Sequence, residues 1–171
     1  GLGDVYKRQI EECPMDHVMI FDSRKDPRAA SAGAILITRL MVKGCAGVVT
    51  DGGFRDSNEI KNLSIPSYHK RPSSPMNLTL HQAIDINVPI GCGDVAIWPS
   101  DLLVGDKEGV VVIPQNVIKE FSDEVKFMTI YEDYVIDKVR HGSSIKGLYP
   151  LTDENEKTAY EKWLKKNFED N

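Results

Sequence analysis

The stretch Ala46-Gly-Val-Val-Thr-Asp51-Gly52-Gly53-Phe-Arg55-Asp56 holds the strongest fold signal in this chain of 171 residues. A short apolar run, typical of a buried β-strand, ends in Asp51-Gly52-Gly53, which predicts a tight turn at the carboxyl end of the strand. A guanidinium and a carboxylate follow almost directly, in Arg55 and Asp56. Because ligands bind at the carboxyl ends of strands in α/β sheets, the stretch predicts a strand and a binding site together.

The side chains of Arg55 and Asp56 suit a small oxo acid. A guanidinium can bind a carboxylate through two parallel hydrogen bonds, and an aspartate oxygen is a hard ligand suited to Mg²⁺ or Mn²⁺. We therefore expect Arg55 to hold the acid group of a 2-keto acid, and Asp56 to hold a divalent metal ion that polarises the keto oxygen. Taken alone, an adjacent Arg–Asp pair is more often a surface ion pair that closes a loop, because a single motif is weak evidence.

The sequence on the amino-terminal side of this stretch predicts a βαβ unit. His17–Phe21 is a short apolar run that predicts a strand, and residues 29–43 carry apolar side chains at helical spacing. Ser31 is the expected N-cap of that helix and Gly44 its C′ residue. A strand, a helix and a second strand in this order predict two parallel strands joined by a right-handed crossover.

The sequence on the carboxyl-terminal side predicts shorter elements. Residues 57–62 predict a short helix, and four apolar runs between Val88 and Ile113 predict an antiparallel or barrel-like β layer. Asn116 is the expected cap of a long helix that runs to about Arg140, and a final helix with an aromatic stripe follows Thr152. The fold class is therefore α/β, with a compact β layer.

Composition and charge exclude two classes of partner. The net charge is -5 and the one dense basic run is Lys162–Lys166, so a nucleic-acid-binding surface is not expected. Apolar runs such as Gly109–Ile113 are far shorter than the roughly 20 residues of a membrane span. The three cysteines, Cys13, Cys45 and Cys92, have no metal-site spacing and are expected to be buried, reduced thiols in a cytoplasmic protein.

Two motifs in the same order resemble the RraA-like family. The first is Gly33-Ala-Ile-Leu36 with Gly44-Cys-Ala-Gly-Val-Val-Thr-Asp-Gly-Gly-Phe-Arg-Asp56, and the second is Pro99-Ser-Asp-Leu-Leu-Val-Gly-Asp-Lys-Glu-Gly-Val-Val-Val-Ile-Pro114. The resemblance covers roughly Ile10 to Val125. The family includes class II 4-hydroxy-4-methyl-2-oxoglutarate aldolases, the RNase E activity regulator RraA, and proteins once named demethylmenaquinone methyltransferases.

This resemblance implies an α/β/α-type sandwich that assembles as a trimer or as a dimer of trimers. In the aldolase branch the arginine binds the pyruvyl carboxylate of the substrate and the aspartate coordinates Mg²⁺ or Mn²⁺, which makes Arg55 and Asp56 the implied catalytic pair and Asp56 the implied metal ligand. A loop at a helix start offers backbone N–H groups to the substrate. The implied substrate-binding residues are Gly33, Ala34, Ile35, Leu36 and Arg55.

Two departures from the family pattern bear on these expectations. Aldolases have an acidic residue where this chain has Ala34, so another acid is expected to complete the outer shell of the metal, with Asp22, Asp26 and Asp51 as candidates. The family's N-terminal helix and first strands are missing here, and the first nine residues resemble adapter-derived sequence, so we expect those nine to be non-native. The expected organisation is then an N-terminally truncated RraA-like domain over residues 10–140 and a C-terminal arm over residues 141–171.

The resulting functional hypothesis is a metal-dependent lyase for a 2-keto acid such as 4-hydroxy-4-methyl-2-oxoglutarate or oxaloacetate. No lysine lies in the apolar strands beside the Arg–Asp pair, so a Schiff-base mechanism is not favoured. The alternative is a non-catalytic regulator that binds a protein partner such as RNase E. Methyltransferase activity has the least support, because no G-x-G loop follows the first strand. The basic segment His69-Lys70-Arg71 is a candidate cover for an anionic substrate, or simply a solvated loop.

Overall fold

The computed structural model describes residues 2–169 and divides into two units between Gln115 and Asn116. The first unit is mixed α/β, as the sequence predicts. Its elements in chain order are α1 (Leu2–Glu12), β1 (Val18–Phe21), β2 (Ala30–Ala32), α2 (Ala34–Val42), β3 (Gly47–Thr50), β4 (Gly53–Phe54), α3 (Ser57–Ile60), β5 (Ser67–Tyr68), β6 (Arg71–Pro72), β7 (Leu102–Gly105) and β8 (Val110–Ile113).

The predicted βαβ unit is confirmed. Strands β1 and β3 pair in parallel, with Val18 opposite Gly47 and Phe21 opposite Thr50, and β3 pairs in parallel with β5. Helix α2 lies between β1 and β3 along the chain. It ends just before Gly44, as the sequence predicts. Gly44 has a φ of +78° at the C′ position, a left-handed conformation that glycine adopts without steric cost.

A second parallel sheet, in the order β2-β4-β6, corrects the predicted start of helix α2. Ser31 is not the N-cap: it lies in strand β2, and the helix begins at Ala34 with Gly33 as its N-cap. The Ser31 hydroxyl hydrogen-bonds the hydroxyls of Ser23 (2.6 Å) and Thr50 (2.8 Å) instead of a helix N–H group. The buried hydroxyl therefore stabilises the contact between sheets rather than the helix terminus.

Helix α2 and the strands share one hydrophobic core. Ile37 and Leu40, three residues apart on one helix face, are fully buried in the same cluster as Val48 of β3 and Phe54 of β4. Burying a side chain of this size contributes about 1.5–3 kcal/mol, so these contacts fix the helix on the strands. Ile10 of α1 is buried in the same cluster. The prediction that residues 1–9 are non-native is about their origin, which the fold does not address, and it stays a prediction.

The predicted β layer forms only in part. Strands β7 and β8 pair antiparallel, with Leu102 opposite Ile113. The two earlier apolar runs meet in a single bridge between Ile90 and Ile97 rather than in strands. Gly93 and Asp94, between them, both have positive φ and reverse the chain. The three cysteines are free and buried, as predicted.

The second unit consists of two helices with an aromatic core. Helix α4 (Ile118–Arg140) follows a 3₁₀ turn over Gln115–Val117, so the predicted cap at Asn116 is wrong. Helix α5 (Glu154–Leu164) begins at Asp153, whose side chain accepts hydrogen bonds from the N–H groups of Asn155 and Glu156. The predicted aromatic stripe packs in part. Tyr160 is buried with Tyr131, Tyr134, Val135 and Leu148, and Trp163 and Leu164 pack against them, whereas Phe168 is exposed. The domain boundaries expected at residues 10 and 141 stay predictions.

Within the part of the chain that the structure describes, no helix has both the length and the apolar character needed to cross a bilayer.

Candidate active site at the start of helix α2

Two very short strands bring the predicted site residues together. Strand β2 runs directly into Gly33 and helix α2, while its parallel neighbour β4 runs directly into Arg55 and Asp56. The N–H of Arg55 donates to the carbonyl oxygen of Ala32 at 3.1 Å, which extends the pairing beyond Phe54. Because parallel strands end at the same edge of a sheet, the start of the helix and the Arg–Asp pair meet there.

The carboxylate of Asp56 joins the guanidinium of Arg55 to the helix start. Its Oδ2 lies 3.4 Å from Nε of Arg55 and accepts a hydrogen bond from the backbone N–H of Ala34 at 3.1 Å. The Asp56 charge therefore faces the positive end of the α2 dipole. Both side chains of the pair are partly exposed, at 38% and 39%, so they can reach a ligand from solvent.

The backbone at Asp56 explains where the carboxylate lies. Its φ of 60° and ψ of 40° are left-handed, a region that aspartate, asparagine and glycine tolerate better than other residues. The turn ends β4 and starts α3, since the Asp56 carbonyl accepts from the N–H groups of Glu59 and Ile60. Asp56 thus has a structural role in addition to any chemical one.

Gly33 leaves the space that the ion pair occupies. A β-carbon at this position would lie 2.7 Å from Oδ2 of Asp56 and 2.9 Å from both Cγ and Nε of Arg55. Its φ of -133° and ψ of 179° suit any residue, so the need for glycine comes from space and not from backbone strain. Any side chain here would push the Arg–Asp pair away from the helix.

A cavity of about 210 Å³ opens at this edge of the sheet. The predicted site residues Gly33, Ile35, Leu36, Arg55 and Asp56 line it, and Ala34 contributes its N–H group to Asp56. The structure therefore brings the predicted residues to one place, while their roles in binding and catalysis stay predictions.

Five residues of the cavity wall are not predicted from the sequence: Ala30, Ser31 and Ala32 of strand β2, and Met76 and Asn77. Met76 and Asn77 follow the basic segment for which the sequence leaves open either a cover for the substrate or a solvated loop. The carbonyl of Pro75 accepts a hydrogen bond from the N–H of Ala30 at 2.9 Å, which holds the segment beside β2. No local pattern encodes such a long-range contact, so the sequence offered no signal for it.

The predicted cover over the substrate is not formed by His69. Arg71 and Pro72 form strand β6 on β4, and the His69 ring lies 5.2 Å from the ring of Phe54. His69 and Lys70 line a separate cavity of about 620 Å³ and not the one beside Arg55. The segment is thus a sheet strand with a flanking histidine rather than a free loop over the site.

The three candidates for the missing outer-shell carboxylate are engaged elsewhere. Asp51 accepts from the backbone N–H groups of Ser23, Lys25 and Gly93. Asp22 accepts from the N–H of Arg24 at 2.8 Å. Asp26 pairs with Arg28, whose guanidinium holds the pKa of that carboxyl below its ordinary value. Each of these carboxylates stabilises its own loop, and none is bound to Asp56.

The donor set at Asp56 fits a weakly held hard cation. Among the residues described, no hydrogen bond reaches Oδ1 of Asp56, and no group of three or more His, Cys, Asp or Glu residues could hold a metal. Mg²⁺ often keeps several waters and takes one or two protein carboxylates together with oxygens of the substrate. A single aspartate beside a substrate-binding arginine agrees with that mode of binding.

Comparisons with known proteins agree with the fold and the motifs. The chain is 33% identical over 153 residues to a putative 4-hydroxy-4-methyl-2-oxoglutarate aldolase from Halalkalibacterium halodurans, which covers 81% of this chain and 72% of that protein. A crystal structure of an uncharacterized protein from Pseudomonas syringae pv. tomato matches with a TM-score of 0.77 and 24% identity, over 82% of this chain and 70% of that one.

A second crystal structure points to another branch of the same fold. It is RraAS2 from Streptomyces coelicolor, an unusual member of the RNase ES inhibitor RraA protein family, with a TM-score of 0.68 and 25% identity over 73% of this chain and 64% of that one. The family model described as RraA-like, Aldolase/RraA, matches residues 4–112, and the chain therefore belongs to the RraA-like family.

Proposed function

We propose that this protein is a divalent-metal-dependent carbon–carbon lyase for a pyruvate-derived 2-keto acid, such as a 4-hydroxy-2-oxo acid or oxaloacetate. The observation that supports this most is the Arg55–Asp56 pair, held at the start of helix α2 on the wall of the 210 Å³ cavity. The relatives named as aldolases, one of them at 33% identity, agree with the same chemistry.

Arg55 is the binding residue in this proposal. Its Nε faces Asp56, and within the described residues no hydrogen bond engages its two terminal nitrogens. These nitrogens are the donors that grip a carboxylate in the bidentate mode. The substrate's C1 carboxylate would bind there, near the positive end of the α2 dipole, which also favours an anion.

Asp56 is the residue that would hold Mg²⁺ or Mn²⁺, through the oxygen that the helix does not use. A bound divalent ion supplies Lewis acidity at the keto oxygen of the substrate. In retro-aldol cleavage the C3–C4 bond breaks and its electron pair passes to C3. The C4 hydroxyl loses its proton to solvent and becomes a carbonyl, and C3 takes up a proton to give pyruvate. Because Arg55 would hold the C1 carboxylate in place, the C3–C4 bond would keep a defined orientation in the site.

The test is pyruvate release from 4-hydroxy-4-methyl-2-oxoglutarate and from oxaloacetate with Mg²⁺, Mn²⁺ or EDTA. Asp56→Asn keeps the left-handed backbone and an acceptor for the Ala34 N–H but removes the charge, so we expect at least about a hundredfold loss of turnover. Asp16→Asn is the matched control, because Asp16 is also left-handed (φ 61°) and exposed but lies outside the cavity. Turnover that survives both EDTA and Asp56→Asn would overturn the proposal.

A second candidate function is a non-catalytic regulator that binds an RNase E-type partner. The observation in its favour is Ala34, which leaves Asp56 without a neighbouring carboxylate, together with the likeness to RraAS2. Stoichiometric capture of an RNase E-type endonuclease, with no turnover of either acid, would favour this function over the lyase.

We also propose that the chain assembles as a trimer or a hexamer, with the α/β/α-type sandwich that the resemblance implies. The first unit exposes large apolar side chains, among them Ile84 at 94% and Trp98 at 62%. Packing such side chains against another copy of the chain would remove their apolar surface from water. Light scattering during size-exclusion chromatography measures the mass, and a monomer at micromolar concentration would contradict the assembly.

A further inference from the structure

The wall of the cavity around the Arg–Asp pair is apolar and open to solvent. Ile35, at the second position of helix α2, is 79% exposed, and Met76 is 56% exposed. Leu36 also lines the cavity. Large apolar side chains exposed around a cavity favour a ligand that covers them, because contact removes their surface from water.

The charges of the same cavity do not provide for a second acid group. In the described part of the chain, Arg55 and Asp56 are the only charged residues on its wall. The guanidinium is needed for the C1 carboxylate, and the amide of Asn77 is neutral. A second carboxylate placed against Ile35 and Met76 would lose water without gaining a cation, which is costly.

We propose that this site selects 2-oxo acids that have a single carboxylate and an apolar remainder. The preferred class would be 4-hydroxy-2-oxo acids with alkyl groups at C4, cleaved to pyruvate and a short aliphatic aldehyde or ketone. Oxaloacetate and 4-hydroxy-4-methyl-2-oxoglutarate, which carry a second carboxylate, would be poorer substrates of the same site. Cleavage breaks the C3–C4 bond, moves the hydroxyl proton to solvent and returns one proton to C3, so it needs no oxidant or reductant. This inference rests on the proposed function and names its substrate class.

An equilibrium binding experiment tests the selection without turnover. The acids 5-methyl-2-oxohexanoate and 2-oxoglutarate share the same 2-oxo acid end and chain length, but one ends in an isopropyl group and the other in a carboxylate of similar shape. Neither has the C4 hydroxyl that cleavage requires. Calorimetry with Mg²⁺ should give at least about tenfold tighter binding for 5-methyl-2-oxohexanoate. Equal binding, or tighter binding of 2-oxoglutarate, would overturn the inference.

A charge placed on the apolar wall sharpens the test. Met76→Lys provides a cation for a distal carboxylate, so the preference should shift at least about tenfold toward 2-oxoglutarate. Met15→Lys is the matched control: it makes the same change at a methionine that is 66% exposed and does not line the cavity. The control should leave the ratio of the two affinities unchanged. An equal shift in both variants would assign the effect to net charge and overturn the inference.

Arg55→Ala separates the failure of this inference from the failure of the proposed function. If the site is correct, the variant loses binding of both acids. If neither acid binds the native protein, or binding survives Arg55→Ala, the proposed function and the inference both fail. If both acids bind through Arg55 and 2-oxoglutarate binds as well or better, the proposed function stands and only the apolar selection fails.

Discussion

The candidate site and the second unit are held together in different ways. The site depends on two paired strands of two or three residues, on the missing side chain of Gly33 and on one left-handed aspartate. The second unit depends on the mutual packing of Tyr131, Tyr160 and neighbouring rings. The strands below the site are buried, but the Arg–Asp pair itself is partly exposed, so the geometry of the pair is fixed by close approach and hydrogen bonds. Changes there should alter activity, whereas changes in the aromatic cluster should alter stability.

The largest expected effect is on the stability of the second unit. Tyr160→Ala removes a buried ring that contacts Tyr131 at 5.4 Å and Tyr134 at 5.0 Å between centroids. We expect a loss of about 3–5 kcal/mol in the free energy of unfolding, as for other large-to-alanine changes in cores. The chain has two tryptophans, so Trp98→Phe leaves Trp163 to report on this unit during urea unfolding.

Tyr160→Phe is the matched control for that change. Within the described residues the buried Tyr160 hydroxyl has no hydrogen-bond partner, and burial raises the pKa of the phenol above its ordinary value. Removing an unpaired polar group should therefore leave stability unchanged or increase it by up to about 1 kcal/mol. A loss as large as that of Tyr160→Ala would show that the hydroxyl, and not ring packing, holds the cluster.

The next effect lowers activity and leaves the stability of the fold almost unchanged. Gly33→Ala places a methyl group within 2.7 Å of Oδ2 of Asp56, so the Arg–Asp pair must move. We expect about a hundredfold lower kcat/KM for pyruvate release, equivalent to about 2.7 kcal/mol, with a change of less than about 1 kcal/mol in unfolding. Gly91→Ala is a suitable control, since a β-carbon there meets no atom within 4 Å. Unchanged kcat/KM in Gly33→Ala would remove the pair from the chemistry.

A smaller effect concerns the start of helix α5. Asp153→Ala removes the side-chain oxygen that accepts from the N–H groups of Asn155 (2.9 Å) and Glu156 (3.1 Å). The loss of an N-cap costs about 1 kcal/mol, so the unfolding midpoint reported by Trp163 should fall modestly. Asp153→Asn keeps an acceptor and should restore most of the loss. A variant as stable as the native chain would show that the aromatic packing alone fixes this helix.

The last effect, which is absent near neutral pH and develops only at alkaline pH, is a pH dependence in the first unit. Burial raises the pKa of Cys13 to about 12 and that of Cys92 to about 11. These thiols stay neutral in the folded state, while in the unfolded state they ionise near the ordinary value of about 8.5. Their contribution to stability is therefore complete below that value and declines as the pH rises toward the folded pKa values. Urea midpoints measured across this range should fall, and less so in Cys13→Ala.

The sequence predicted the elements whose signal is local. The apolar run before Asp51 and the glycine at position 44 are local patterns, and the βαβ unit and its helix end follow from them. Ser31 was misassigned because a serine before an apolar run reads as a helix cap, yet its hydroxyl bonds Thr50, nineteen residues away. Met76 was missed for the same physical reason: only the pairing of distant segments brings it to the cavity.

The left-handed turn at position 56 has a consequence for how relatives are compared. Because that backbone favours aspartate, asparagine and glycine, evolution would retain a small set of residues there even in proteins with no chemistry at the site. An aspartate that many homologues share at this position would therefore reflect the need for the turn as much as a role in catalysis. Homologues with asparagine at this position would keep the turn and lose the negative charge. Their activity would therefore separate the chemical role of the carboxylate from its structural role.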